Sequence, residues 1–287
     1  MVVKEYNNAR SFLNDYEVTL LEREAVSQLI LYNAYQYRNN NIVEDGIFGA
    51  VTEEENALLL YCNLMPHNMV IYVASEEHAV SAAAYLADYL GSNHIVIKGI
   101  SARNDICLSF MERYKRHIDC TFAEKLGMDV MEIRKVNDIK LAEGHQRLAI
   151  MDDIKLIADW MIEFQIEALT NELDYEAALK KAGKYIEDER IYLYENEEGQ
   201  VVTMAIAARK LVHGMAITYV FTPEEFRGKG YAAANMYYLS RELLEQGYEF
   251  CTLFVDKKNP LSNRAYEKVG YQILEDSHEY NIIVAEE

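Results

Sequence analysis

An α/β protein of two tandem halves is the fold this sequence predicts, and three observations carry it. Short apolar runs of strand type alternate with segments whose apolar residues recur at helical spacing. The order of those elements in the first half returns in the second, as an internal repeat requires. The chain has 287 residues, 51% of them hydrophobic, which suffices for one large domain or two of ordinary size with a real core.

Residues 9–38 carry Phe12, Leu13, Leu20, Leu21, Val26, Leu29, Ile30 and Tyr35 at mostly helical spacing, which predicts two amphipathic helices. Residues 47–51 read as a strand, the polar 52–56 as a turn and 57–62 as the partner strand. A further strand at 69–74 leads to a helix at 78–90 with Gly91 as its stop. Residues 95–100 read as a buried strand and 106–114 as a helix.

The second half opens on a strand at 128–133. Asp152 and Asp153 then begin a helix whose apolar positions are Ile154, Ile157, Ala158, Met161, Ile162, Ile166 and Leu169. Another helix covers 175–186. Residues 191–194 and 201–207 flank the turn Asn196-Glu197-Glu198-Gly199 and read as an antiparallel hairpin. A strand at 215–222, a buried strand at 251–255, a helix at 261–268 and closing strands at 271–274 and 280–284 complete the half. No proline- or serine-rich linker interrupts the chain, so the boundary is placed at 121–127, with domains at 1–122 and 126–287.

Side by side, the halves agree in order and not in identity. Ile71-Tyr72-Val73 stands where Thr218-Tyr219-Val220 does, and Ser75-Glu76-Glu77 resembles Thr222-Pro223-Glu224-Glu225. In the first half the step to the next strand is shorter and contains neither basic residues nor loop glycines.

Net charge is -19 and pI about 4.8, so most of the surface repels phosphate backbones and acidic membranes. Nucleic acid and membrane partners are therefore not expected, whereas a cationic amine is drawn in. No apolar run approaches the roughly 20 residues that span a bilayer, and the N-terminus has no signal-peptide core, so a cytoplasmic location is expected. Cys62, Cys107, Cys120 and Cys251 lack C-x-x-C spacing, which predicts reduced thiols and no metal site.

The chemistry-bearing stretch is Val220-Phe221-Thr222-Pro223-Glu224-Glu225-Phe226-Arg227-Gly228-Lys229-Gly230-Tyr231-Ala232. A strand, a glycine-punctuated basic loop and a helix N-terminus in that order form an anion cradle. The first helical turn has unpaired N–H groups and a positive dipole end. Glycine lets a phosphate reach the backbone and takes conformations closed to other residues. The spacing matches neither the dinucleotide G-x-G-x-x-G nor the P-loop.

What it has is Arg227-x-x-Gly230-x-Ala232, and a second segment follows at Asn259-Pro260-x-Ser262-Asn263-x-x-Tyr266-x-x-x-Gly270-Tyr271. Together these resemble the two signatures of the GNAT superfamily of N-acetyltransferases. The resemblance covers about 126–287 well and the first half poorly, so 1–122 reads as a degenerate copy without a cofactor loop.

The resemblance implies a tandem acyl-CoA N-acyltransferase fold, with a central mixed β-sheet flanked by helices in each half. It implies acetyl-CoA as co-substrate, no metal, and acetyl transfer to a primary amine by direct attack in a ternary complex. The acceptor is a small molecule or a protein, and the chain works as a monomer or homodimer. Cofactor contacts fall on Val220, Phe221, Thr222, Arg227, Gly228, Lys229, Gly230, Tyr231, Ala232, Ala233, Asn259, Ser262, Asn263 and Tyr266. A strand that splays from its neighbour at 220–222 has backbone groups that can bond the amide-bearing pantetheine arm.

Tyr266 is expected as the general acid toward the departing thiolate, and the N–H of Phe221 or its neighbour as the oxyanion donor. Glu163, Glu167, His213 or a water relay stand as alternatives for the base. Trp160, among Ile157, Met161 and Phe164, reads as helix core. A non-catalytic acyl-CoA sensor is the competing function, and an empty structural fold the third.

Overall fold

In the computed structural model, residues 1–38, 46–169 and 172–283 are described. The chain divides into two compact units, Met1–Met128 with Glu275–Glu287, and Asp129–Leu274.

The first unit runs β1 (Val2–Tyr6), α1 (Ala9–Glu22), α2 (Glu24–Tyr37), β2 (Gly46–Glu53), β3 (Asn56–Leu64), β4 (Met69–Val73), α3 (Ala79–Ser92), β5 (Gly99–Ala102), α4 (Asn104–Tyr114) and into β6 (Thr121–Ile133). The second continues with β7 (His145–Leu148), α5 (Ile154–Leu169), α6 (Tyr175–Glu187), β8 (Ile191–Glu195), β9 (Val201–Lys210), β10 (Gly214–Phe221), α7 (Tyr231–Glu245), β11 (Phe250–Asp256), α8 (Pro260–Val269) and β12 (Gln272–Ile283).

The two units repeat one topology. In the first, β1, β2, β3 and β4 pair antiparallel in sequence, β4 pairs parallel with β5, and β12 closes antiparallel on β5. In the second, β7, β8, β9 and β10 pair antiparallel and β10 pairs parallel with β11. Each unit is thus a mixed sheet, and its helices cover both faces.

Strand periodicity explains why the central strands read as continuous apolar runs. On β3, Leu59 and Tyr61 pack toward α3 and α4, while Leu60 and Cys62 pack toward α1 and α2. On β9, Met204 and Ile206 join Ile157, Trp160 and Met161 of α5, while Ala205 and Ala207 join Met236 and Leu239 of α7. Trp160 is core, its ring 5.9 Å from that of Phe221.

Several expected bounds move. Gly91 does not end α3; it lies inside the helix, buried, where an added Cβ would stand 2.6 Å from Cβ of His117. Packing, not helix termination, is why a glycine occupies the position. Residues 95–98 are not strand, and β5 begins at Gly99. The expected boundary at 121–127 falls within a single strand, β6, because strand-forming residues continue from Thr121 through Ile133. The two closing strands are one strand, β12, and residue 284 of the expected pair lies outside the described residues. β1 and β7, each short and mixed in polarity, carry too little alternation to be read as strands.

The expected second domain ran to 287, whereas Glu275–Glu287 divides with the first unit. The reason is pairing: His278, Glu279, Tyr280 and Asn281 oppose Ala102, Ser101, Ile100 and Gly99 of β5. Gly99 marks the closest approach, since an added Cβ there would stand 2.1 Å from the carbonyl oxygen of Tyr280. Gly99→Ala is therefore expected to destabilise the protein by about 2 kcal/mol or more, because backbone and not a mobile side chain must yield. Denaturant unfolding measures this; an unchanged midpoint would show that β5 and β12 separate without cost.

Candidate active site

The site begins with how β10 leaves its neighbour. Gly214, Met215 and Ala216 pair with Phe250, Cys251 and Thr252 of β11, and beyond Ala216 β10 has no paired residue on β11 among the described residues. On its other side the register with β9 shifts twice, between Ala216 and Ile217 and between Thr218 and Phe221. Such bulges bend a strand and increase its twist, so the C-terminal half of β10 diverges from β11 and opens a gap lined by backbone.

Tyr219 sits at the second bulge with φ +51°, a left-handed conformation that non-glycine residues seldom adopt. Its side chain holds it there. The hydroxyl accepts hydrogen bonds from Nε2 of Gln165 on α5 (2.6 Å) and Nζ of Lys181 on α6 (2.9 Å), and its ring centroid lies 4.9 Å from that of Phe164. Sequence reading had no signal for this cluster, since a tyrosine within an apolar strand run looks like core.

At the end of β10, the Phe221 carbonyl accepts from Oγ1 of Thr203 at 2.7 Å, and Thr222 Oγ1 donates to the same threonine hydroxyl at 2.9 Å. Val220 is half-buried and packs against the α7 and α8 side. The loop then turns through Gly228 (φ +78°) and Gly230 (φ +88°), and α7 starts at Tyr231. The helix's first backbone bond runs from the Ala234 N–H to the Gly230 carbonyl. The N–H groups of Tyr231, Ala232 and Ala233 precede it and have no partner within the helix, which leaves donors of the kind that attract anions. Nothing lies within 4 Å of a Cβ added at Gly228, and at Gly230 it meets Cβ of Ala142 at 3.8 Å, so the loop's concave side is open.

The two loop cations differ. Arg227 donates from Nε to the Thr222 carbonyl (2.8 Å) and from a terminal nitrogen to Glu167 of α5 (2.7 Å), so it braces the loop. Lys229 lies over the Phe226 ring at 5.5 Å and, with Gly230 and Tyr231, lines a cavity of about 490 Å³.

Across the gap, β11 leads into α8. Asn259 caps that helix, its Oδ1 accepting from the Ser262 N–H at 3.1 Å, with Pro260 in the first turn. Asn263 donates from Nδ2 to the carbonyls of Asp256 (3.1 Å) and Asn259 (3.0 Å), while its Oδ1 is buried without a partner. A buried acceptor with no donor costs stability unless a ligand satisfies it. Tyr266 follows one turn on, buried, its ring centroid 5.9 Å from that of Tyr271. Burial pushes its phenol well above the ordinary value near 10, and a hydrogen bond with Ser262 pulls in the other direction. The proton is in place throughout the neutral range.

The base alternatives separate by position. Glu167 is committed to Arg227. His213 precedes β10 at the end opposite Phe221, where its carbonyl accepts from the Glu249 N–H, and so lies a full strand's length from the gap. Glu163 is exposed on α5, and partial desolvation, then Glu167 and Asp159, raise its carboxyl above the usual range. Among the described residues no group of three or more His, Cys, Asp or Glu could hold a metal ion, and no helix is long and apolar enough to cross a membrane. The four cysteines are unpaired with one another; burial pushes the Cys62, Cys107 and Cys251 thiols up to about 12.

The first unit has a corresponding helix start without loop glycines or basic residues. There α3 begins after Ser75-Glu76-Glu77-His78, and His78 takes the left-handed N-cap conformation that Gly230 takes in the second unit. Glu76 is bound by Arg103 through two bonds of 2.8 and 2.9 Å.

Comparison with known proteins gives a consistent assignment. No curated protein sequence matches the chain significantly. Solved structures match nearly end to end, two of them as follows. An acetyltransferase of the GNAT family from Colwellia psychrerythraea has 12% identity, TM-score 0.56, and coverage of 99% of this chain and 100% of that one. A GCN5-related N-acetyltransferase from Sphaerobacter thermophilus has 14% identity, TM-score 0.63, and coverage of 98% and 95%. These likenesses establish the fold. The family model described as Acetyltransferase (GNAT) family matches residues 154–271, from the start of α5 to the residue before β12. Residues 154–271 of this chain thus match the GNAT acetyltransferase family model, within a fold shared with solved GNAT acetyltransferases.

Proposed function

We propose that the protein transfers an acetyl group from acetyl-CoA to a primary amine, the two substrates bound together. The observation that carries this reading is the gap between β10 and β11, which opens beside a glycine loop at the N-terminus of α7. A peptide-like arm fits there, because diverging strands offer backbone groups as an added strand would, and the unpartnered Oδ1 of Asn263 offers an acceptor to an amide N–H. Bound acetyl-CoA would supply the activated thioester.

This chain's residues do the rest. The N–H groups of Tyr231, Ala232 and Ala233, with Lys229, hold the diphosphate. The N–H of Phe221 faces the charge that develops on the carbonyl oxygen, a contribution worth roughly 3 kcal/mol for one donor. The amine lone pair forms the new C–N bond as the C–S bond breaks, and the departing sulfur takes the Tyr266 proton. The amine's surplus proton leaves through Glu163 or water.

Release of free thiol from acetyl-CoA in the presence of an amine panel tests the proposal. Turnover with at least one amine is expected. In parallel, coenzyme A at about 100 times its dissociation constant should stabilise the fold by roughly 2.7 kcal/mol. Stabilisation without turnover would make the chain an acyl-CoA-binding module. No stabilisation would leave only the fold.

A further inference from the structure

Tyr219 is the residue of β10 that stands in the left-handed region, with φ +51°. Thr218 pairs with Ile206 and Phe221 with Met204, so Tyr219 and Val220 together face the single residue Ala205 on β9. One extra residue on one strand is a bulge. The φ of Tyr219 turns the peptide unit that carries the Val220 N–H, and with it the course of the strand to Phe221.

A buried tyrosine persists in this conformation only where its surroundings hold it there. Here the holding is concentrated on one oxygen. Gln165 Nε2 donates to the hydroxyl from α5 and Lys181 Nζ from α6, and the same ammonium lies 4.8 Å from the ring centroid. Among the described residues Lys181 has no carboxylate partner, so a half-buried positive charge is committed to a neutral phenol. Stability alone gives no reason for that arrangement, because an apolar side chain would fill the same core without desolvating an ammonium.

The first unit shows the fold without this device. Tyr72 stands at the matching place in the order of elements and is also buried. There β3 and β4 pair without a register shift, Leu60 opposite Tyr72, and Tyr72 has no positive φ. A core tyrosine in a mixed sheet of this topology therefore does not require the bulge. The bulge belongs to the unit that carries the glycine loop and Tyr266.

We propose that Gln165 and Lys181 are positioning residues for acyl transfer: through the Tyr219 hydroxyl they hold β10 in its bulge and so aim the N–H groups of Val220 and Phe221 into the gap beside β11. The inference rests on the acyl-transfer reading of that gap. Neither residue touches substrate in this role. Both act on rate through the direction of the backbone, while coenzyme A, held by the α7 loop and α8, binds as tightly without them.

Steady-state thiol release with the most active amine of the panel, alongside coenzyme A calorimetry and thermal melting of the full-length protein, supplies the test. Tyr219→Phe keeps the ring and removes the oxygen that both donors share. It should lower kcat by about 100-fold, the scale of a lost oxyanion donor, with KM for acetyl-CoA and coenzyme A affinity within about twofold. Lys181→Met and Gln165→Met keep side-chain length and remove one donor each, and each should lower kcat by about tenfold. Lys181→Arg still offers donors and should stay close to wild type. Adding Lys181→Met to Tyr219→Phe should lower kcat no further, since the lysine then has nothing to act through. The amide NMR signals of Val220 and Phe221 should move in Tyr219→Phe and stay in place in Lys181→Arg. Wild-type kcat in Tyr219→Phe or Lys181→Met overturns this inference alone. A fall in kcat matched by an equal loss of coenzyme A affinity, or a lost melting transition in both variants, makes the cluster structural and overturns it as well. A wild-type protein that turns over no amine overturns the acyl-transfer reading, and this inference with it.

Discussion

Tyr266→Phe is expected to lower turnover by roughly 100-fold or more, the scale of a lost general acid, while acetyl-CoA affinity stays within about twofold. The phenol is buried in the core formed by α7, α8 and β11, and the substitution removes one oxygen without changing the ring. Packing therefore survives, and the loss is confined to the proton. Because burial raises the phenol above its ordinary value, this donor remains protonated well past neutrality, and the wild-type rate should show no fall from this group below about pH 9. Steady-state thiol release together with ligand binding measures both quantities. Full turnover in a variant that binds acetyl-CoA normally would move the acid elsewhere, and a lost melting transition would instead make Tyr266 a core residue.

Gly230→Asp should abolish coenzyme A binding at concentrations that saturate wild type. Two effects add. The residue has φ +88°, so any side chain costs about 1–2 kcal/mol in the left-handed region. The carboxylate would also stand at the helix N-terminus where the diphosphate belongs, and like charges about 4 Å apart near a surface repel by roughly 4 kcal/mol. Gly230→Ala separates the two, because its Cβ meets only Ala142 at 3.8 Å and adds no charge. The alanine variant should bind about tenfold more weakly or better, and the aspartate at least 100-fold more weakly. Equal losses in both would mean that backbone strain, and not anion binding, is what the glycine serves.

Much of the fold was legible because the evidence for it is local. Helical spacing from Phe12 to Tyr35 marks α1 and α2, and the turn at Asn196–Gly199 marks the β8–β9 hairpin, since each needs only near neighbours in the chain. Repetition was legible too, as an order of elements. What failed did so for long-range reasons. Gly91 has the right place for a helix stop, but its small size serves contact with His117, far along the chain. β12 looked like two strands because its middle, Glu275 to Glu279, is polar; pairing with β5 keeps it one strand.

The candidate site divides in the same way. By itself the sequence determined that a glycine-punctuated basic loop opens α7, that Asn259 and Asn263 stand at the start of α8, and that Tyr266 follows at helical spacing, because each is a matter of residue type within a few positions of backbone. Only the tertiary structure decided that β10 parts from β11 after Ala216, that Arg227 is spent on Glu167, and that Tyr219 is pinned in a left-handed conformation by Gln165 and Lys181. The physical reason is distance along the chain. These features arise where side chains from separate elements meet, and no spacing rule within one element records which distant partner a residue will find.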